Sequence, residues 1–307
     1  MDPITHSLVG ALAAKTVRAS RRRFWIMALL AVVPDLDFLA NSLGSWASIL
    51  QHRGLTHSLF GLILFSLCFA WILRRFDQGP FAQRARDYSL PWAFHIFGDY
   101  LTGFGVPLFS PFILNEYSLN LVTAITWIPL LITISALVWL HRQKKEGWVH
   151  TRPIWALWGL YLVLTLSGKV YASKIVSTSA SVTTLPTFYN PFAWRAIEID
   201  DETHSYHHYE INLLKRQKRL VFIFPQPNGD FPVKASMDSL LVQDFLKENR
   251  FPVVRALKNG DQWEVEWGTL LFSTRGTARS KVLVNLSLEG KILSSQKSFG
   301  FWNPQIN

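Results

Sequence analysis

The sequence predicts an all-α, membrane-embedded helical bundle followed by a small extracytoplasmic α+β or mainly β domain. Three observations carry that prediction. Apolar runs rich in Trp and Phe fill residues 1–170 and are separated by short basic segments. Lys and Arg outnumber Asp and Glu there by fifteen to eight, whereas residues 171–307 hold sixteen and thirteen, mixed as in a soluble domain. Beyond residue 171 the long runs give way to short alternating stretches of strand character. The expected division is a membrane domain at 1–170, a linker and interfacial segment at 171–194, and a soluble domain at 195–307.

A membrane-crossing helix needs about 20 mainly apolar residues. The runs at 4–17 and 24–33 are too short and read as half-embedded helices. The runs at 55–73, 88–109, 119–140 and 154–167 read as spans, the last extended by Trp148. Gly98, Asp99, Gly103, Gly105 and Pro107 interrupt the second of these. The Ser/Thr-rich stretch from Ala172 reads as a linker, and NPFAWR at 190–195 as an aromatic segment suited to the membrane interface. Strands are expected at 194–200, 208–214, 219–225, 251–257, 262–272 and 281–288, with one helix at 239–249. Asn259-Gly260 and Glu289-Gly290 are hairpin-turn signals.

A net charge of +10 invites a nucleic-acid reading, since basic patches neutralise phosphates. Placement argues against it, because the densest cluster, RASRRR at 18–23, and the pair at 74–75 flank apolar runs. Basic loops favour the cytoplasmic side. Setting 15–23, 74–86 and 141–152 inside collects thirteen Lys/Arg and leaves only Arg53 in the loops 34–57 and 103–120. That orientation puts everything after Lys169 outside, in a periplasm-like compartment beyond the bacterial cytoplasmic (inner) membrane if the source is a Gram-negative bacterium. The single cysteine, Cys68, excludes an intrachain disulfide. The start, MDPITHSLVGALAA, lacks the basic opening of a secretory signal and is expected to be retained.

Outside the basic loops, the ionisable groups of the first 110 residues are Asp2, His6, Asp35, Asp37, His52, Arg53, His57, His95 and Asp99. Four segments deliver them to one predicted face, which is the pattern of a metal site. His95 and Asp99 are four apart and share a helix face. Pro34-Asp35-Leu36-Asp37 presents two carboxylates at a helix end, and Gly54 permits a turn between His52 and His57, with Thr56 or Ser58 as the cap of the helix that follows. Mixed His and Asp donors suit zinc, with manganese or iron as alternatives. Singly, each item has an ordinary reading: a hydrogen-bonded pair, a helix cap, an interfacial histidine. Asp99 resists that reading, because an acid inside an apolar span costs about 2.5–3.5 kcal/mol. Arg53 reads either as a phosphate-binding fork or as an interfacial arginine partnering Asp2. THSYHHYE at 203–210 reads as a polar strand edge or turn, since His207 and His208 would point to opposite faces of a strand.

MDPITHSLVG at the start, PDLD at 34–37, HRGLTHS at 52–58 and FGDYLTGFG at 97–105, with LPTFYNPFAWR at 185–195 after them, resemble the YdjM family of inner-membrane metal-dependent hydrolases. The resemblance covers residues 1 to about 195. It implies the helical fold of zinc-dependent phospholipase C and P1 nuclease. It also implies His6, Asp35, His52, His57, His95 and Asp99 as ligands of two or more ions, with Asp37 and Asp2 in second rank. The expected activity is hydrolysis of a phosphoester on a lipid or lipid-linked carrier, with Asp35 or Asp37 as the base and Arg53 on the substrate. The expected partners are the bilayer and that substrate, with no nucleic acid, and the oligomeric state is left open. Metal or proton transport and a non-catalytic metal-stabilised scaffold are the competing classes.

Overall fold

The structure is a computed structural model in which residues 1–37, 54–123, 125–176, 182–188, 190–274 and 277–302 are described. The chain divides into two compact units, Met1–Gly168 with Pro186–Pro191, and Lys169–Leu185 with Phe192–Asn307.

The first unit is helical. Helix α1, Pro3–Thr16, starts where the Asp2 carboxylate accepts from the Thr5 N–H, with a proline in the first turn. Ser20 caps α2, Arg21–Leu30, in the same way. The two helices approach closely at Gly10, where an added Cβ would stand 2.7 Å from both Ala31 Cβ and the Met27 oxygen. A 3₁₀ turn, Leu55–His57, leads into α3, Leu59–Ile72, whose cap Ser58 accepts from the Gly61 N–H at 2.9 Å. Then follow α4, Phe81–Tyr100, α5, Trp127–Arg142, and α6, Trp148–Val176. One core joins Ala13, Ala14, Met27, Leu30, Ala70 and Tyr88, and another joins Val9, Leu12, Leu140, Ile154 and Trp158.

Where α2 begins and α3 gives way to α4, a buried ion cluster ties the elements together. Arg23 donates two bonds to Asp77, at 2.6 and 2.8 Å, and a third to Asp87 at 2.7 Å. Tyr88 adds its hydroxyl to Asp77 at 3.0 Å. The opposite ends of the same helices are thereby aligned, and those ends carry the acids and imidazoles singled out above.

The predicted membrane-embedded bundle is overturned. Among the described residues, α6 is the one helix long and apolar enough to cross a membrane. The reason is local. The Ser58 cap shortens the third run to a 14-residue helix, about 21 Å long. The fifth run loses its first residues to a non-helical stretch and becomes a 16-residue helix, about 24 Å long. Helix α4 spends its first two turns on Arg84, Arg86 and Asp87. A hydrocarbon core is about 30 Å thick.

The second unit consists of two four-stranded antiparallel sheets, each with its strands in sequence order. The first holds β1, Val182–Pro186, β2, Ala193–Asp200, β3, Ser205–Asn212, and β4, Gln217–Pro225. The second holds β5, Pro252–Asn259, β6, Gln262–Thr274, β7, Thr277–Ser287, and β8, Ile292–Trp302. Ile197, Tyr206 and Phe224 of the first sheet pack on Val253, Leu270 and Leu271 of the second. Two short helices, α7, Phe231–Ser236, and α8, Leu240–Glu248, cover Val265, Trp267, Val282 and Val284. A register shift between Trp267 and Gly268 lets β6 serve both layers. The stretch read as a linker behaves otherwise: Ala172 and Val176 extend α6 against Trp194, Ala196 and Ile211, and Val182–Pro186 is a strand. The two glycine turns take positive φ, +59° at Gly260 and +88° at Gly290.

Candidate metal centre

Four residues from three separate stretches converge in the helical unit. Asp35 follows the end of α2, His57 closes the 3₁₀ turn before α3, and His95 and Asp99 lie one turn apart on α4. One donor atom from each lies within 4.8 Å of all the others. His57, His95 and Asp99 are buried, and Asp35 retains 17% side-chain exposure.

The hydrogen bonds decide which nitrogen of each imidazole faces the cluster. His95 Nδ1 is 2.7 Å from the Ala31 carbonyl, which can only accept, so Nδ1 carries the proton. Its Nε2 lone pair therefore points inward. For His57, the Thr56 hydroxyl donates to Asp37 Oδ2 at 2.6 Å, because a carboxylate only accepts. That hydroxyl lies 3.0 Å from His57 Nδ1 and must accept from it. His57 Nε2 is thus turned inward too, and the two Nε2 atoms stand 3.0 Å apart.

Two nitrogen lone pairs at that distance repel unless a cation lies between them, a proton or a metal ion. The surroundings suit the metal. Asp35 Oδ1 is 3.7 Å from His57 Nε2 and 3.6 Å from His95 Nε2. Asp99 Oδ2 is 3.4 and 3.9 Å from the same two atoms. Buried Asp35 Oδ2 accepts no hydrogen bond among the described residues. Bonds of about 2.0–2.1 Å at a tetrahedral angle put two imidazole nitrogens about 3.3 Å apart. The donor set fits a divalent ion by number, type and spacing.

Electrostatics favours the ligating forms. Burial, with the neighbouring His57 acting in the same direction, pushes His95 down to about 3 and keeps its imidazole neutral. Burial pushes the Asp35 carboxyl up, but His57 and His95 together outweigh it and hold the group below its ordinary range.

Of the other predicted site residues, His6 is buried beside the cluster. Its ring stacks on His95 with centroids 3.8 Å apart, and its Nε2 is 3.3 Å from Asp99 Oδ1. The Met1 amine also contacts Asp99 Oδ1. Asp37 lies behind His57 and binds Thr56, and Asp2 caps α1. His52 and Arg53 lie outside the described residues. Sequence reasoning took Thr56 only as an alternative helix cap, the place Ser58 fills, and missed Ala31. Thr56 is flanked by the predicted ligands, which was a usable signal, whereas a backbone carbonyl leaves none. In the second unit, His207 faces Asp200 at 3.5 Å while His208 is buried, with neither ring nitrogen hydrogen-bonded among the described residues.

Residues 1–176 match the protein-family model described as YdjM inner membrane protein. The chain belongs to the YdjM family. It is accordingly a membrane protein, and the four clustered residues lie inside the YdjM region. No curated protein and no solved structure matches the chain, so the likeness to phospholipase C and P1 nuclease has no structural match behind it.

Proposed function

We propose that this YdjM-family chain is a membrane-anchored, metal-dependent hydrolase acting on a phosphoester of a lipid or lipid-linked carrier. The observation that supports it is the pair of inward-facing Nε2 atoms, 3.0 Å apart, bracketed by the carboxylates of Asp35 and Asp99. Asp35, His57, His95 and Asp99 would hold the ion, zinc being the best fit to two imidazoles and two carboxylates. Bound there, a divalent ion supplies Lewis acidity toward a phosphoryl oxygen and acidifies water. Asp35 is the most exposed of the four, and its Oδ2 is the natural proton acceptor. Water adds to phosphorus and gives its proton to Asp35, and the phosphorus–oxygen ester bond breaks as Asp35 passes that proton to the leaving oxygen and returns to the carboxylate.

Helix α6 is the membrane anchor in this reading. From Trp148 to Gly168, where the first unit ends, it runs about 31 Å, one hydrocarbon thickness. Arg142, Lys144, Lys145 and Arg152 gather at its N-terminal end and favour the cytoplasmic side. That leaves the C-terminal domain extracytoplasmic.

Metal analysis of the detergent-purified protein tests the reading. The wild type is expected to hold stoichiometric metal, zinc above all, and to release protons when the apoprotein is reloaded. His95→Ala and Asp99→Asn are expected to lose it, together with phosphodiesterase or monoesterase activity on lipid phosphates. Equal metal content in all three proteins would remove the basis of the proposal.

A further inference from the structure

The sequence reading treats Asp37 as a ligand or base, but its position assigns it a different task. It does not belong to the four-residue group. Its Oδ2 lies 3.5 Å from His57 Nδ1, the nitrogen on the far side of the ring from His95. Between them sits Thr56, whose hydroxyl donates to Asp37 at 2.6 Å and accepts from His57 at 3.0 Å. Thr56 is itself held in place: its carbonyl accepts from Trp92 Nε1 at 2.9 Å, and Trp92 stacks on Phe65 with centroids 5.1 Å apart.

We propose that Thr56, backed by Asp37, is a positioning residue for the metal site: it locks His57 in the Nδ1–H tautomer and aims its Nε2 lone pair at the ion. The inference rests on the metal-site reading above. A hydroxyl can relay in one direction only here, because its single proton is committed to the carboxylate. A negative charge two bonds removed also raises the basicity of the ligating imidazole, as carboxylates behind metal-bound histidines do. Ala31 plays the equivalent part for His95 through its carbonyl. The two ligands therefore differ in kind. The support of His95 is a neutral backbone group that mutation cannot remove, while that of His57 is a charged side-chain chain that mutation can.

The test compares full-length Thr56→Val, Thr56→Ser and Asp37→Asn with wild type, using zinc competition against a chromophoric chelator. Thr56→Val keeps the shape and loses the hydroxyl, and its zinc affinity is expected to fall about 10–100-fold. Thr56→Ser restores the hydroxyl and is expected to bind as wild type. Asp37→Asn is expected to weaken zinc about tenfold, within the range for such supporting groups. It decides the matter if Thr56→Val does not fold. Imidazole ¹⁵N spectra of the apoproteins should show the Nδ1–H tautomer of His57 in wild type and Thr56→Ser, and a mixture in Thr56→Val. Wild-type affinity in Thr56→Val or Asp37→Asn, or equal losses in Val and Ser, would overturn the proposal. Absence of zinc from wild type would instead overturn the metal-site reading beneath it.

Discussion

Arg23 illustrates what a single side chain holds together. Its guanidinium reaches Asp77 from the segment between α3 and α4 and Asp87 from α4, all three being buried. Removing the cation leaves two buried carboxylates short of their main partner, and breaking such a group is expected to cost about 3–5 kcal/mol. Arg23→Met is therefore expected to lower the unfolding free energy of the helical unit by about 3 kcal/mol in denaturant titration. Its acid response should change as well. Burial pushes the Asp77 carboxyl up, but Arg23, Tyr88 and the Gly79 N–H together hold it below its ordinary value of 3.8. A depressed carboxyl adds stability that is complete above the unfolded-state value and is lost as pH falls through the folded-state value. Wild type should thus weaken progressively below about pH 4, and Arg23→Met should show a flatter acid limb. A Met variant with the wild-type acid profile would remove Arg23 from that account.

At the scale of the element, the junction between the 3₁₀ turn and α3 governs the site. Gly61 has no room for a side chain, since a Cβ there would stand 1.9 Å from the Leu55 carbonyl oxygen. In an ordinary helix interior Gly→Ala gains about 1 kcal/mol. Here the sign should reverse, with Gly61→Ala losing about 1–3 kcal/mol by overpacking. The turn that carries His57 must shift, so zinc affinity should fall with it. Ser58→Ala, which removes the cap but not the space, should cost about 1 kcal/mol and leave zinc affinity near wild type. Comparing the two variants by thermal melting and zinc titration separates displacement of the turn from simple weakening. This junction also shows how much was legible in the sequence. The residues HRGLTHS announced a turn and a candidate ligand, His57, because Gly, Thr, His and Ser each have a local role. They also offered Thr56 or Ser58 as the helix cap, and Ser58 takes that place, yet the apolar run was still measured from Leu55, four residues before the helix starts. Hydropathy sees an unbroken stretch, whereas the backbone ends where a hydroxyl satisfies its amide protons. The same blindness inflated the run at 119–140, where the helix begins only at Trp127.

Across the whole molecule, what sequence conveyed best was chemistry and composition. The change in charge balance near residue 170 falls close to where the first unit ends at Gly168. Asp35, His57, His95 and Asp99 stood out because acids and imidazoles are rare in apolar surroundings. What it conveyed poorly depends on contacts distant in the chain. Residues 182–186 read as a polar linker and form a strand only because Leu185 packs on partners such as Phe251 and Leu270. Helix α7, with six residues, has too little periodicity to detect. Two units with separate cores should melt separately, and the four clustered residues of the proposed metal site lie in the first. Zinc at about 100 times its Kd should stabilise that unit by about 2.7 kcal/mol. Calorimetry of the detergent-solubilised chain is expected to show one transition that chelator lowers and another that it leaves unmoved. A chelator effect shared equally by both transitions would mean that the units are not thermodynamically distinct.

The order of strands in the second unit has a consequence for how the protein is made. Each strand in either sheet pairs with the one before it in the chain. A growing or emerging chain therefore never has to hold an edge open for a segment still to come, and never threads a late strand between two earlier ones. Loop closure at each step spans only a hairpin, so its entropy is small. Assembly can keep pace with emergence, starting from β1 and finishing on β8. Within each sheet, the aggregation-prone interval in which an emerging strand waits for its next neighbour lasts only until the following strand appears.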